Sequence, residues 1–177
     1  EIVEVGAIKW RDGAEVAQLN FLVKPTKPMG DFVIRIHGIT NEMVGDCPPV
    51  SEVIEPVREF FRDSVLLAHH AAFDMGFLAI EFEKLGIFLD EPVLCTSKLA
   101  QALVRGTVNH KLQTLAKHFK IPAGTAHRAT DDARTCMYVG LECFRLMGDV
   151  STQGLSLPMK GFFQWSAFSV RVASEVH

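Results

Sequence analysis

The sequence has no excess of positive charge. Its 18 lysines and arginines are outnumbered by 21 aspartates and glutamates, for a net charge of −3. That excludes a protein that coats nucleic acid through charge alone, which would normally be basic. It does not exclude a nuclease, because carboxylates recruit divalent cations and those cations meet the phosphate. Long apolar runs are missing too, with nothing near the ~18 residues of a membrane span. The start shows no basic stretch followed by an apolar one, so no signal peptide is expected. These absences together predict no membrane association and a cytoplasmic setting. Cysteine is scarce: Cys47, Cys95, Cys136 and Cys143 form no C-x-x-C pair. Zinc-ribbon and thioredoxin chemistry are therefore excluded, and buried reduced thiols are expected. Neither an internal repeat nor a low-complexity tract is present.

What is there reads as one domain of mixed α/β type. At 177 residues the chain is long enough to bury a core without staples. Ile2 to Trp10 is β-branched and partly alternating, as in a strand. Arg11-Asp12-Gly13 is a hairpin turn signal, and Val16 to Val23 a second, antiparallel strand closed by Pro25 and Pro28. A loop follows with Ile36-His37-Gly38-Ile39-Thr40, where Thr40 is a candidate cap for a short helix. Val53, Ile54, Val57, Phe60 and Phe61 recur at helical spacing. Val65-Leu66-Leu67-Ala68 reads as a buried strand. A helix with Phe77, Leu78, Phe82 and Leu85 then ends at Gly86. Val93-Leu94-Cys95 is a short strand, and 96–103 and 111–119 are helices. His127 to Met147 holds the last clear helix, with Met137, Leu141, Phe144 and Leu146 toward its buried side. The expected domain is 1–148. Residues 149–177 form a linker and an aromatic segment in which Phe163, Trp165, Phe168, Val170 and Val172 suggest a strand with a phase slip near Ala167. That segment is expected to pack on the domain, extend a sheet edge, or join another subunit.

Two places carry candidate chemistry. Asp74 follows the Val65–Ala68 strand and begins a helix. Taken singly, it is a first-turn acid stabilised by the helix dipole. His127-Arg128-Ala129-Thr130-Asp131-Asp132-Ala133 places His127 on a loop and Asp132 in a first helical turn, with Thr130 as the expected cap. Taken singly, these too are structural. Together the segments offer two carboxylates on separate strand–helix junctions. Their hard oxygens suit Mg²⁺ or Mn²⁺, and a histidine beside them can take a proton from water near neutral pH. Phosphodiester hydrolysis uses such parts, with two cations roughly 3.5–4 Å apart across the attacking and leaving oxygens.

At these residues the chain resembles the DEDDh 3′–5′ exonucleases, the DnaQ-like proofreading family with an RNase H-like fold. Residues 1–8 (EIVEVGAI) resemble the family's second strand. Ile36-His37-Gly38-Ile39-Thr40 resembles the loop that meets the terminal nucleotide. Leu67-Ala68-His69-His70-Ala71-Ala72-Phe73-Asp74 resembles the second exonuclease motif, and the segment from His127 to Ala133 the third. The matching stretches run from Ile2 to about Leu146. The resemblance implies Asp74 and Asp132 as metal ligands, His127 as general base, and His37, Gly38, Ile39, His70 and Phe73 as substrate contacts. His70 stands where the family usually has Asn. The implied cofactors are two Mg²⁺ or Mn²⁺ ions. The implied partners are nucleic-acid 3′ ends, single-stranded DNA first, with association with a DNA polymerase in replication and repair.

The family's first motif, Asp-x-Glu on the central strand, occurs nowhere in the 177 residues. Glu4 falls outside the metal cluster, and Glu81-Phe82-Glu83 lies within a helix. The first strand is therefore expected to be missing from an otherwise RNase H-like sheet flanked by helices. Three readings stay open: a DNA exonuclease, an exoribonuclease or oligoribonuclease, and a non-catalytic binding or scaffolding module. His69 reads as a structural neighbour, His110 and His118 as solvated helix residues, and Lys111, Lys117 and Lys120 as a solvated basic group.

Overall fold

The computed structural model describes residues 1–122, 128–151 and 164–173, excluding the side chains of 149–151. His127 lies outside the described residues, as does Phe163. The chain opens with the hairpin of β1 (Ile2–Arg11) and β2 (Ala14–Leu22). Asp12 and Gly13 between them both have positive φ, 52° and 81°. That is the backbone of a tight turn whose twist matches its strands, and it sets Arg11 opposite Ala14.

The stretch read as loop before Gly38 contains a helix, α1 (Asp31–His37), closed by Gly38 in the left-handed region at φ 72°. Thr40 caps the short α2 (Asn41–Val44) by accepting the Met43 N–H at 3.3 Å. Next come α3 (Val50–Phe61), β3 (Val65–Ala68), α4 (Ala71–Lys84), β4 (Val93–Cys95), α5 (Thr96–Leu103), α6 (Leu112–His118) and α7 (Ala129–Ser151). α7 thus runs past Met147 into the stretch read as linker.

The last strand, β5 (Trp165–Val172), joins the sheet at its centre and not at an edge. The strand order is β2-β1-β5-β3-β4. β5 runs antiparallel to β1 and parallel to β3. The place expected to be empty is therefore filled by the end of the chain. Its irregular apolar pattern is that of a strand covered on both faces. Phe168 and Val170 pack with Val57, Phe61 and Leu78 below α3 and α4. Ala167 and Trp165 pack with Cys136 and Met137 of α7 on the other face. No phase slip is present within β5 itself.

Three layers result, with α3 and α4 on one side of the sheet and α7, backed by α5 and α6, on the other. α7 comes close to the sheet because its Gly140 has no side chain; a Cβ there would lie 2.7 Å from Leu67 Cδ2. The apolar side of α7 includes the residues its spacing suggested, with Met137 buried and Leu141, Phe144 and Leu146 packed at the border of the core. Ala133, Cys136, Met137, Val139 and Cys143 are buried, whereas Leu141, Phe144 and Leu146 are only partly covered. Of the four free cysteines, Cys136 and Cys143 are buried and Cys47 and Cys95 are half-exposed. Among the described residues no helix is long and apolar enough to cross a membrane.

Candidate active site

Asp74 is the fourth residue of α4 and is buried, at 4% exposure. The chain enters α4 through His70, which takes a left-handed conformation at φ 60°. Histidine is one of the few side chains enriched in that conformation. The turn aims the start of α4 at the sheet. Asp74 Oδ1 accepts the Val170 N–H of β5 at 2.8 Å. Burial pushes the Asp74 carboxyl up to about 7, against the opposing pull of that N–H and of the positive Arg171.

Asp132 lies one turn into α7. Its Oδ1 accepts from Gln113 Nε2 at 3.3 Å, and its Oδ2 pairs with the guanidinium of Arg171. Both partners of that pair are mostly buried. The two carboxylates predicted from sequence are therefore brought to neighbouring residues of one strand, Val170 and Arg171.

α7 is held in this position by a residue read as uninvolved. Glu4 of β1 is fully buried. Its Oε2 accepts the Ala129 N–H at 3.0 Å, and its Oε1 accepts from Arg128 at 3.0 and 3.1 Å and from Asn20 at 3.1 Å. A carboxylate from the sheet thus caps α7 and sits at its positive end. Thr130 is not the cap. It lies inside α7, and its hydroxyl instead accepts from Asn20 Nδ2 at 2.7 Å. Glu4 could have been found in the sequence as a charged residue inside a strand otherwise built for burial on both faces.

The remaining candidates fall into two groups. His37 and Ile39 are buried. His37 Nδ1 accepts the Ile39 N–H at 3.0 Å, and Ile39 packs with Val3, Met29 and Val44. Burial, reinforced by the charge of Arg171, holds His37 below its ordinary pKa. Gly38, His70 and Phe73 are exposed, and Phe73 packs edge-to-face on Phe77 with centroids 5.2 Å apart.

His69 joins elements. Its Nε2 meets the His110 carbonyl at 3.0 Å and its Nδ1 the Thr96 hydroxyl at 2.9 Å. Burial draws it down to about 4. His110 is a half-buried loop residue and not a helical one, while His118 is exposed on α6. Lys111, Lys117 and Lys120 are all exposed.

The sheet order and the flanking helices define an RNase H-like fold. Residues 1–139 match the RNase T exonuclease family. The chain belongs to that family, among the DnaQ-like 3′–5′ exonucleases. It is 39% identical over 139 residues to a PolC-type DNA polymerase III of Latilactobacillus sakei, covering 78% of this chain and 10% of that one. With the PolC-type polymerase of Bacillus subtilis it shares 34% over 157 residues, 87% of this chain and 11% of the other. The chain thus spans about a tenth of these relatives' length. A solved structure of exonuclease X in complex with 5′ overhanging duplex DNA superimposes with a TM-score of 0.56 at 28% identity, covering 86% of this chain and 83% of that one. The nuclease domain of 3′hExo, a DEDDh family member bound to rAMP, shares the fold with a TM-score of 0.63 at 15% identity, covering 78% and 80%.

The DEDDh exonucleases depend on divalent metal. The residues described here do not fit a metal pair. No group of three or more His, Cys, Asp or Glu among them is placed to hold a cation, and of the two converging carboxylates one is already paired with a guanidinium.

Proposed function

We propose that this chain is the exonuclease unit of a protein that removes nucleotides from DNA 3′ ends in replication or repair. The observation that supports this most strongly is the meeting of Asp74 and Asp132 at adjacent residues of the central strand, within a chain of this family. In this reading Asp74 and Asp132 would stand among the carboxylates that hold Mg²⁺ or Mn²⁺, a role that requires Arg171 to release Asp132. His127 takes the proton of the attacking water. Phe73 offers a face to the terminal base, and the backbone around Gly38 approaches the terminal sugar. The relatives named as polymerases support association with a DNA polymerase.

The test is degradation of 3′-labelled single-stranded DNA by the full natural protein, with Mg²⁺ or Mn²⁺ against EDTA, beside an RNA of the same sequence. Metal-dependent shortening of DNA that His127→Ala reduces by about 10²-fold or more supports the reading. Full rate in His127→Ala sinks the mechanism, and faster cleavage of RNA moves the substrate to RNA.

The ion pair between Arg171 and Asp132 favours a second reading, a non-catalytic nucleic-acid-binding module on the same fold. Binding of single-stranded DNA without cleavage by the full protein, in either metal, would select it.

A further inference from the structure

In the family that this chain belongs to, the central strand brings two carboxylates to the metals. Here the central strand is β5, between β1 and β3. Its residues at the site are Ser169, Val170 and Arg171. Ser169 and Arg171, two apart on one strand, point to the same face of the sheet, the face on which Trp165 and Ala167 meet α7. Arg171 donates to Ser169 Oγ at 2.9 Å and pairs with Asp132. Val170 satisfies Asp74 through its backbone N–H. Where two metal ions would require two carboxylates, β5 presents a hydroxyl and a cation.

We propose that, while β5 holds the centre of the sheet, the site stays free of metal because the Arg171 guanidinium balances Asp132 in place of a divalent ion. The inference rests on Asp74 and Asp132 standing at the family's ligand positions, and not on their being catalytic. A dication at Asp132 would have to displace the guanidinium or sit against it, and like charges so close in a mostly buried site repel strongly. Mg²⁺ and Mn²⁺ also want several oxygen ligands in near-octahedral array. β5 adds no carboxylate toward that number. What Arg171 achieves is a site whose fold needs no metal to offset Asp132.

The test uses the 177-residue chain, with Mn²⁺ as the probe, read by calorimetric titration and by Tm in Mn²⁺ against EDTA. The wild type should show no saturable binding below the millimolar range and a Tm change under about 1 °C. Ser169→Asp/Arg171→Glu places two carboxylates beside Asp132, and their mutual repulsion should lower Tm in EDTA. Mn²⁺ at about a hundredfold excess over its Kd should then raise Tm by roughly 5–10 °C. Folding of this variant only in Mn²⁺ is the same result in stronger form. Arg171→Gln, a milder change, should gain a Mn²⁺-dependent rise in Tm that the wild type lacks. Saturable micromolar binding of Mn²⁺ by the wild type overturns the proposal. So does a folded double variant, or a folded Arg171→Gln, that ignores Mn²⁺. A double variant that takes Mn²⁺ yet leaves DNA intact keeps this inference and counts against the exonuclease reading instead.

Discussion

Glu4, the third residue of β1, accepts the backbone N–H of Ala129, the first residue of α7, at 3.0 Å. One buried carboxylate therefore joins the sheet to the helix that carries Asp132. Glu4→Ala removes that acceptor and leaves the Arg128 guanidinium and the Ala129 N–H without it. Arg128 is 39% exposed, so water can take the place of Glu4 there, and the main cost is the unsatisfied Ala129 amide, about 1–3 kcal/mol. Urea unfolding should show the midpoint falling accordingly with little change in slope. A loss below about 1 kcal/mol would mean that Glu4 does not hold α7.

The same approach of β1 to α7 depends on Gly6. A Cβ at Gly6 would lie 2.2 Å from Thr130 N and 2.4 Å from the Ala129 carbonyl carbon. These are backbone atoms, so no side chain can swing aside. Gly6→Ala should destabilise by at least ~1–3 kcal/mol, the usual range for overpacking, and shift the start of α7. Backbone amide chemical shifts of Asp131, Asp132 and Ala133 should move more than those of α3, on the far side of the sheet. An unmoved α7 in a stable Gly6→Ala protein would refute the close approach.

Much of the architecture was readable because local chemistry decides it. Arg11-Asp12-Gly13 is a hairpin-turn signal, the apolar spacing of 53–61 fits a helix, and the short apolar run Val65–Ala68 has the look of a buried strand. Asp74 and Asp132 can be placed at helix starts from sequence, but only the two segments together, with the family resemblance, single them out as candidate ligands. The position of β5 was not readable. A strand's sequence shows which faces are covered but not which strand lies beside it, and Trp165 to Val172 is covered on both faces. The two-sided pattern looked like a slip in phase. Arg171 was missed for the same reason: its partner Asp132 is 39 residues away in sequence. Glu4 stands outside the metal cluster that the resemblance implies, and nothing in the sequence shows that α7 starts against it.

Phe73 is 40% exposed and braced by Phe77. In the proposed function it is a stacking surface that needs no rearrangement to meet a base. Stacking on an aromatic side chain is worth about 1–3 kcal/mol per base. Phe73→Ala should therefore weaken single-stranded DNA binding by roughly 5- to 150-fold, measured by fluorescence anisotropy in EDTA to prevent cleavage. Stability should change little, because the ring is not part of the buried core. Unchanged affinity would remove Phe73 from the binding surface.

Asp74 and His69 should oppose each other in the pH dependence of stability. Asp74 titrates near its ordinary 3.8 in the unfolded chain and at about 7 in the fold. Between those values the unfolded chain gives up a proton that the folded one keeps, so stability from Asp74 falls as pH rises and is fully lost above about 7. His69 titrates near 6.5 unfolded and about 4 folded. Between those values the unfolded chain gains a proton that the buried ring refuses, so stability from His69 falls as pH drops. The Asp74 window spans about 3.2 pH units and the His69 window about 2.5, worth on the order of 4 and 3 kcal/mol respectively. Asp74→Asn should become progressively more stable relative to wild type as pH rises from 4 to 7. His69→Gln should become progressively less stable relative to wild type over the same interval. Urea unfolding at half-unit pH steps in EDTA measures both differences, and curves parallel to the wild type would show that neither group is held in its folded-state pKa by burial.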